Sequence, residues 1–327
     1  MSGSDVRVSV VMCTYNGGKY LRDQLQSILD QTRPPDEIII SDDGSTDSTL
    51  EIIEEFASST GGPKPPVWRV ETRAKPLGVS GNFASVLAKV RGEFIALADQ
   101  DDVWEPDRLE KALAHFQDSV LLVHSDAMLI DASGSPTGTL MSALRLTSTE
   151  RRNLLSRGAL TALLRRNVVT GATTMIRSSL LEDALPIPEG WVHDEWLALV
   201  AAAQGGVVFH QDPLIRYRQH GNNEIGASKT DYDEATRRLR EKRSEFFARK
   251  LRRNDGITAL LEKKPTWLDS LAHSSLAAKV EFDQWRSTLP SWRVRRLVPV
   301  LRRWFVGDYG RYARGYVDVI RDVALID

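Results

Sequence analysis

Two acidic clusters punctuate the first third of the chain: Asp42-Asp43-Gly44-Ser45-Thr46-Asp47 and Asp99-Gln100-Asp101-Asp102, each directly after an apolar run. Neighbouring carboxylates repel, and holding them together at the end of an apolar segment is costly without a cation. A divalent metal removes that cost. Hard oxygen donors suit Mg²⁺ or Mn²⁺, which keep waters and bridge substrate phosphates while taking one or two protein carboxylates. A calcium loop is disfavoured, because the Asp-x-Asp-x-Asp-Gly spacing and its distal Glu are missing. The same residues also suit local structure: Asp102 or Glu105 would cap a helix opening at Pro106, and Asp-Gly-Ser-Thr-Asp is the sequence of a tight turn into a helix. Asp43 could instead accept hydrogen bonds from a nucleobase and leave a mismatched base unpaired.

The elements that position these clusters follow from periodicity. Residues 6–13 form a buried strand and 19–31 an amphipathic helix with Leu21, Leu25, Ile28 and Leu29 on one face. The alternation continues with a strand at 37–41, a helix at 46–57 capped by Ser45, a strand at 67–71, a helix at 80–90 and a strand at 93–98. Such alternation predicts a mostly parallel sheet flanked by helices, an α/β fold whose ligands lie beyond the carboxyl ends of the strands. Both acidic clusters fall there. Beyond a helix at 106–116 and an extended stretch at 120–130, the sequence predicts polar helices and loop over 140–166, a strand at 170–176, a helix at 193–204 and short strands at 207–209 and 214–217. From residue 231 the composition turns helical and highly charged, so a boundary near 228 separates residues 1–228 from a helical carboxy-terminal extension, 229–327.

Composition narrows the function. Lys+Arg of 43 against Asp+Glu of 44 gives a formal net charge of -1, which offers no basic excess for a nucleic-acid partner. The single cysteine, Cys13, excludes internal disulfides and cysteine-rich zinc sites and suits a reducing cytosol. Residues 1–7 lack the apolar segment of a signal peptide, and no stretch reaches the ~18 apolar residues of a spanning helix. These features predict a cytoplasmic protein, soluble or peripheral on the inner face of the membrane.

Several motifs in order, each at a strand end, carry a resemblance. Val8-Ser-Val-Val-Met-Cys-Thr-Tyr-Asn16, Gln31-Thr32, Ile40-Ser-Asp-Asp-Gly-Ser-Thr-Asp47 and Leu97-Ala-Asp-Gln-Asp-Asp-Val-Trp104 resemble the signature of the family 2 glycosyltransferases, over residues 6–226. The resemblance implies the GT-A fold and a single inverting displacement that moves a sugar from a nucleotide diphosphate to an acceptor hydroxyl. By motif, Thr14, Tyr15, Asn16 and Asp43 would hold the nucleoside, Asp99 would lie near its ribose, and Asp101 would bind Mg²⁺ or Mn²⁺. Gly78-Val-Ser-Gly-Asn82 resembles the segment closing over the donor, which makes Asn82 a donor contact, although Ser80 could simply cap a helix there. His193-Asp-Glu-Trp196 matches the base motif, with Asp194 as the base and Glu195 its alternative; a capping role for Asp194 would lower its basicity. Val169-Thr-Gly-Ala-Thr173 resembles the loop at the donor–acceptor junction, where Gly171 leaves room for substrate or marks a strand bulge. Arg216-Tyr-Arg-Gln-His-Gly-Asn-Asn223 resembles the carboxy-terminal histidine segment, with His220 on the metal or diphosphate and Arg218 neutralising the departing nucleotide.

Within the family, these motifs together with His124-Ser-Asp126 are most similar to bacterial rhamnosyltransferases. That implies a dTDP-L-rhamnose donor and a saccharide or lipid-linked glycan acceptor in surface polysaccharide or cell-wall synthesis. Trp104, Trp191 and Trp196 could stack on sugar rings or pack in the core. A UDP-sugar donor on the same fold, or a glycan-binding module without catalysis, are the alternatives, and such a module has no need of Asp99, Asp101 and Asp194 together. A nucleotidyltransferase would want a basic phosphate loop where residues 14–18 carry no arginine, and a dehydrogenase a Gly-x-Gly-x-x-Gly after the first strand. Near the carboxy terminus, Trp292-Arg-Val-Arg-Arg-Leu-Val-Pro-Val-Leu-Arg-Arg-Trp-Phe305 suits a helix interrupted at Pro299, either lying on an anionic membrane or packed as a hairpin with an arginine-lined outer face. The extension could equally contact a second copy of the chain.

Overall fold

The apolar run after Arg7 becomes β1 (Val8–Thr14), whose Val8, Val10, Val11 and Met12 are all fully buried, as a central strand covered on both faces requires. The structure is a computed structural model, and it describes residues 7–62, 64–156, 158–220 and 242–324. β2 (Glu37–Asp42) and β4 (Phe94–Ala98) pair in parallel with β1 on either side, and β3 (Val67–Thr72) pairs in parallel beyond β2. Side chains alternate between two hydrophobic clusters: Val11, Ile39 and Leu97 join one, while Val10, Met12, Ile38, Ile40 and Ala96 join the other. The crossovers are α1 (Leu21–Leu29), α2 (Thr49–Ser59) and α3 (Gly78–Leu87). Thr14 is in register with Asp42 and Met12 with Ala98, so the loops after β1, β2 and β4 open at one edge of the sheet.

The second half completes the same sheet with mixed directions. Its strands are β5 (Val103–Trp104), β6 (Leu122–Ile130), β7 (Pro136–Thr139), β8 (Thr174–Arg177) and β9 (Val207–Arg218), and the order is β3-β2-β1-β4-β8-β6-β9-β5 with β7 on β6. β8 runs antiparallel to both β4 and β6, whereas β9 is parallel to β6 and antiparallel to β5. The α/β class stands, with parallel pairing within β1–β4 and again between β6 and β9. The two short strands expected at 207–209 and 214–217 are one strand, because pairing steps from Ser125↔His210 to Asp126↔Pro213 and bulges out the exposed Gln211 and Asp212. The strand expected at 170–176 is a 3₁₀ turn, Gly171–Thr173, leading into β8.

Helix α4 (Arg108–Leu113) is shorter than the expected 106–116, and neither Asp102 nor Glu105 caps it, since its flanking residue is Asp107. The polar stretch 140–166 folds as α5 (Leu140–Ala143), α6 (Ser148–Leu155) and α7 (Ala159–Leu163), with a capping box between Thr147 and Glu150 starting α6. After α8 (Leu180–Ala184), α9 (His193–Ala203) is buried from Trp196 to Ala203 and occupies the first cluster.

The boundary expected near 228 lies outside the described residues. Beyond it come helices Arg243–Lys263, Ser270–Ser287, Arg293–Val306, Asp308–Tyr312 and Tyr316–Ala324. Ile257, Leu260, Ala272, Leu276 and Val280 join the cluster around α9, so the first two of these helices pack on the sheet region. The last three gather on Phe282, Tyr309 and Val300 around a buried ionic centre. There Arg286, fully buried, bonds Asp322 at 2.6 Å and Asp318 at 3.0 Å, and the Tyr309 hydroxyl donates to Asp322 at 2.6 Å. Among the described residues no helix is long and apolar enough to cross a membrane.

Candidate active site

The loops after β1 and β2 are laced by their own polar groups. The Asn16 amide donates to Ser45 Oγ at 2.8 Å, Asn16 Oδ1 accepts from the Thr46 amide at 2.8 Å, and the Gly18 amide donates to Asp47 at 3.0 Å. Asn16 pays for this position with a φ of 47°, a left-handed conformation that asparagine tolerates. The Thr14 hydroxyl donates to Asp42 at 2.9 Å. Tyr15 is half exposed at the rim, and its backbone N–H and C=O are both held by the Gln100 side chain, at 2.9 and 3.1 Å. A Cβ at Gly17 would fall 2.2 Å from Gln100 Oε1, so that clamp needs glycine there. Asp43 is buried and accepts from the amides of Leu77 and Gly78 at 2.8 Å, tying this loop to the start of α3.

The Asp99–Asp102 loop gathers negative charge in a partly dry place. Burial, then Asp101, then Asp194 push the Asp99 carboxyl up to about 7. Asp101 is raised by burial, against the pull of His220, whose Nε2 lies 2.8 Å from Asp101 Oδ2. Asp102 is fully buried, raised well above the usual range by burial, and accepts the Arg218 amide at 2.9 Å. The compensating charge is Arg108 from α4, fully enclosed beneath the loop, with burial lowering it to about 9 while Asp102 and Asp99 hold it up. It donates to the Leu97 carbonyl at 3.1 Å and stacks 3.7 Å from the Trp104 ring. Tyr20 covers His220, with ring centroids 5.1 Å apart, and Arg218 lies 4.5 Å from the Tyr20 ring.

Facing this loop, Asp194 sits in the first turn of α9. Its Oδ2 accepts the Gly171 amide at 2.8 Å and its Oδ1 the Glu195 amide at 2.7 Å. Those bonds lower its pKa, but burial outweighs them and sets it at about 6. The carboxylate is therefore both a partner of backbone amides and a stronger base than an ordinary aspartate. Its charge reaches Asp99, and the buried Tyr217 phenol is raised by burial first and then by Asp99, Asp102, Asp101 and Asp194.

The Glycosyl transferase family 2 model matches residues 9–185. The chain belongs to glycosyl transferase family 2. An uncharacterized protein of Mycobacterium tuberculosis is 30% identical over 233 residues, 68% of this chain and 62% of its own length, so the chain spans under two thirds of that relative. The dTDP-rhamnosyl transferase RfbG of Shigella flexneri is 38% identical over 106 residues, which cover 31% of this chain and 35% of RfbG. Among solved structures, S. aureus TarS 1-349 in complex with UDP-GlcNAc superposes with a TM-score of 0.56 at 15% identity, covering 97% of this chain and 90% of that one. The mannosyltransferase PcManGT of Pyrobaculum calidifontis, in complex with GDP-Man and Mn²⁺, gives 0.51 at 16% identity, covering 97% of this chain and 84% of that one. At such identities the likeness concerns the fold, which is GT-A-like as expected.

For this family 2 chain, Asp101 bonds His220, the charges of Asp101 and Asp194 both act on Asp99, and Gln100 ties the Tyr15 backbone to the same loop. Other expected residues are placed differently. Asn82 is buried, donating to the Ser41 carbonyl at 2.9 Å and accepting from Arg73, so it fastens α3 to β2. Ser80 caps nothing, because α3 starts at Gly78 and the Asp43 carboxylate meets its first amides. Gly171 leaves room for side chains of α9: a Cβ would lie 3.2 Å from His193 Nε2 and 3.3 Å from Asp194 Oδ2. The Arg218 guanidinium donates to the Asp101 carbonyl at 2.9 Å and is nearly buried behind the loop.

Sugar stacking by Trp104 and Trp196 does not hold. Each is 3% exposed, Trp104 against Arg108 and Trp196 donating to the Ala184 carbonyl, so neither ring offers a face to a ligand. Trp191 is half-buried, with Arg253 4.0 Å from its ring and the Arg253 carbonyl accepting from its indole. Glu195 pairs with the same Arg253 at 2.8 Å. Sequence reasoning missed Arg108, Gln100, Tyr20 and Tyr217. Only Gln100 and Tyr217 lay inside motifs; a lone Arg or Tyr on a helix gives no sequence signal of where it points.

The donor set can be tested against a divalent cation. No group of His, Cys, Asp and Glu forms a full cage among the described residues. Asp101 and His220 nevertheless bring one carboxylate and one imidazole together, beside Asp99 and Asp102, whose carboxyls are raised by burial first and by their acidic neighbours second. Mg²⁺ or Mn²⁺ at a phosphate site needs few protein donors and fills its shell with diphosphate oxygens and water, so these residues fit. Gly221, Asn222 and Asn223 of the histidine motif lie outside the described residues.

Proposed function

We propose that this chain transfers a sugar from a nucleoside diphosphate donor to a saccharide or lipid-linked glycan acceptor, with inversion, in the synthesis of a surface polysaccharide or cell-wall polymer. The observation that carries the reading is Asp194: a half-buried carboxylate raised to about 6, close enough to the acidic loop after β4 for its charge to act on Asp99. A general base works best with a pKa near the operating pH, and family membership supplies the reaction class.

In this mechanism the acceptor hydroxyl gives its proton to Asp194 as its oxygen attacks the anomeric carbon, and the bond from that carbon to the diphosphate oxygen breaks on the opposite face. The amides of Gly171 and Glu195 fix the carboxylate's orientation, leaving its other lone pairs for the hydroxyl. Thr14, Tyr15, Asn16 and Asp43 bind the nucleoside, Asp99 lies at its ribose, and Arg218 and Asn82 support the walls of the donor site. Held by Asp101 and His220, Mg²⁺ or Mn²⁺ would stabilise the charge that develops on the departing diphosphate. The stretch shared with RfbG favours dTDP-L-rhamnose as donor.

Thermal unfolding with dTDP, UDP, GDP and CMP, with and without Mn²⁺, tests this reading on the wild type and Asp101→Ala. A ligand at ~100 times its Kd adds about 2.7 kcal/mol, enough to move the midpoint by a few degrees. Metal-dependent stabilisation by dTDP that Asp101→Ala abolishes supports the donor and its site. The same pattern with UDP replaces the rhamnose donor by a UDP-sugar, and no nucleotide effect at all favours a glycan-binding module.

A further inference from the structure

The carboxy-terminal helices carry a surface that the transfer reaction does not use. Helix Arg293–Val306 runs unbroken through Pro299, where an interruption was expected, and buries only Arg296 and Val300. Arg296 is spent inward: it donates to the Ser291 carbonyl at 2.7 Å and to the Asp322 carbonyl at 3.2 Å. Arg303 is likewise engaged, with Asp308 at 2.8 Å and Glu281 at 3.2 Å. The outer face is apolar, where an arginine-lined face was the alternative. Val294, Val298 and Phe305 are 75%, 77% and 82% exposed, and Leu301 is exposed beside them.

At about 100° per residue these four side chains form one stripe, with Arg295 and Arg302 along one border and Arg293 toward the other. Trp292 stands exposed at its head, and the neighbouring helix Tyr316–Ala324 adds the exposed Tyr316, Val317 and Ile320. Arg293, Arg295 and Arg302 are exposed and form no ion pair among the described residues. No acidic residue occurs from 290 to 307. An exposed apolar patch of this kind marks a binding surface, and its charge says for what.

We propose that this helix docks on an anionic lipid surface, its apolar stripe entering the headgroup–acyl boundary and Arg293, Arg295 and Arg302 meeting lipid phosphates. A second copy of the chain fits less well: a two-fold contact would set Arg295 and Arg302 against their own kind with no acid in the segment to answer them. An anionic membrane supplies both the missing negative charge and the apolar depth. The inference stands on this helix alone and does not depend on the donor or acceptor of the transfer reaction.

Sedimentation of the full chain with vesicles of phosphatidylcholine, with or without phosphatidylglycerol, tests it. Wild type is expected to pellet with phosphatidylglycerol vesicles and to be released by salt. Each arginine near such a surface contributes about fivefold, so replacing Arg293, Arg295 and Arg302 by Gln should weaken binding roughly a hundredfold. Val298→Glu with Phe305→Glu should abolish it, and because these side chains face solvent, circular dichroism should stay that of wild type. Absence of wild-type binding, equal binding to pure phosphatidylcholine, or undiminished binding by either folded variant overturns the proposal. So does a wild-type dimer, seen by light scattering, that Phe305→Glu dissociates while vesicles capture nothing.

Discussion

Asp194→Asn separates two roles of one carboxylate. Burial holds this acid at about 6 against an ordinary 3.8, despite two backbone amides that favour its charge. Keeping it ionised in the folded protein therefore costs roughly 3 kcal/mol at neutral pH. Between those two pKa values the folded state keeps the proton and the unfolded chain has lost it, so stability falls as pH rises through this window and the loss is complete above it. Asparagine removes the charge, but its amide nitrogen must then face either the Gly171 or the Glu195 N–H, and that unpaired donor costs ~1–3 kcal/mol. The two effects nearly cancel at neutral pH, leaving the variant as stable as wild type or more stable by up to about 2 kcal/mol, a few degrees in midpoint. Below the window only the unpaired donor remains, and the variant should be the less stable protein. Transfer should meanwhile fall by ~100- to 10,000-fold with nucleotide binding kept, and the wild-type rate should decline as pH drops through about 6. Denaturant unfolding across pH, with a sugar-transfer assay on the same samples, reads both quantities. A large loss of stability at neutral pH would make Asp194 a structural cap, and retained transfer or lost nucleotide binding would remove it as the base.

Further outcomes follow from neighbouring contacts. Gly171→Ala places a methyl 3.2 Å from His193 and 3.3 Å from Asp194, and the crowding should cost ~1–3 kcal/mol in denaturant unfolding and lower kcat more than it raises KM. Gln100→Ala releases both hydrogen bonds on the Tyr15 backbone, and at about 1 kcal/mol each nucleotide affinity measured by calorimetry should weaken by roughly 5- to 30-fold. His220→Ala should, like Asp101→Ala, abolish Mn²⁺-dependent stabilisation by the nucleotide in thermal scans. Arg286→Met strands the buried Asp322 and Asp318 carboxylates and should destabilise the chain by ~3–5 kcal/mol in denaturant melts, while a variant within experimental error of wild type would refute a tightly paired core.

Strand ends and their acidic loops were legible in the sequence because a parallel strand buried on both faces leaves a continuous apolar run, and the polar residues that stop it mark the edge where ligands bind. Asp42–Asp47 and Asp99–Asp102 were placed by that logic alone. Family motifs added Asp194 and His220, which no periodicity singles out. Only the tertiary structure decided which carboxylates meet: Asp99 and Asp194 converge because β8 inserts beside β4 and brings the Gly171 turn and α9 against the acidic loop. It also decided that Trp104 and Trp196 face inward, that Arg108 lies beneath the carboxylates, and that Pro299 sits inside a continuous helix whose outer face is apolar. The physical reason is common to these cases. Local sequence sets a residue's conformation and the period on which its side chain points, but the partner on that side is contributed by segments many residues away, and it is the partner that fixes burial, pKa and what the residue can touch.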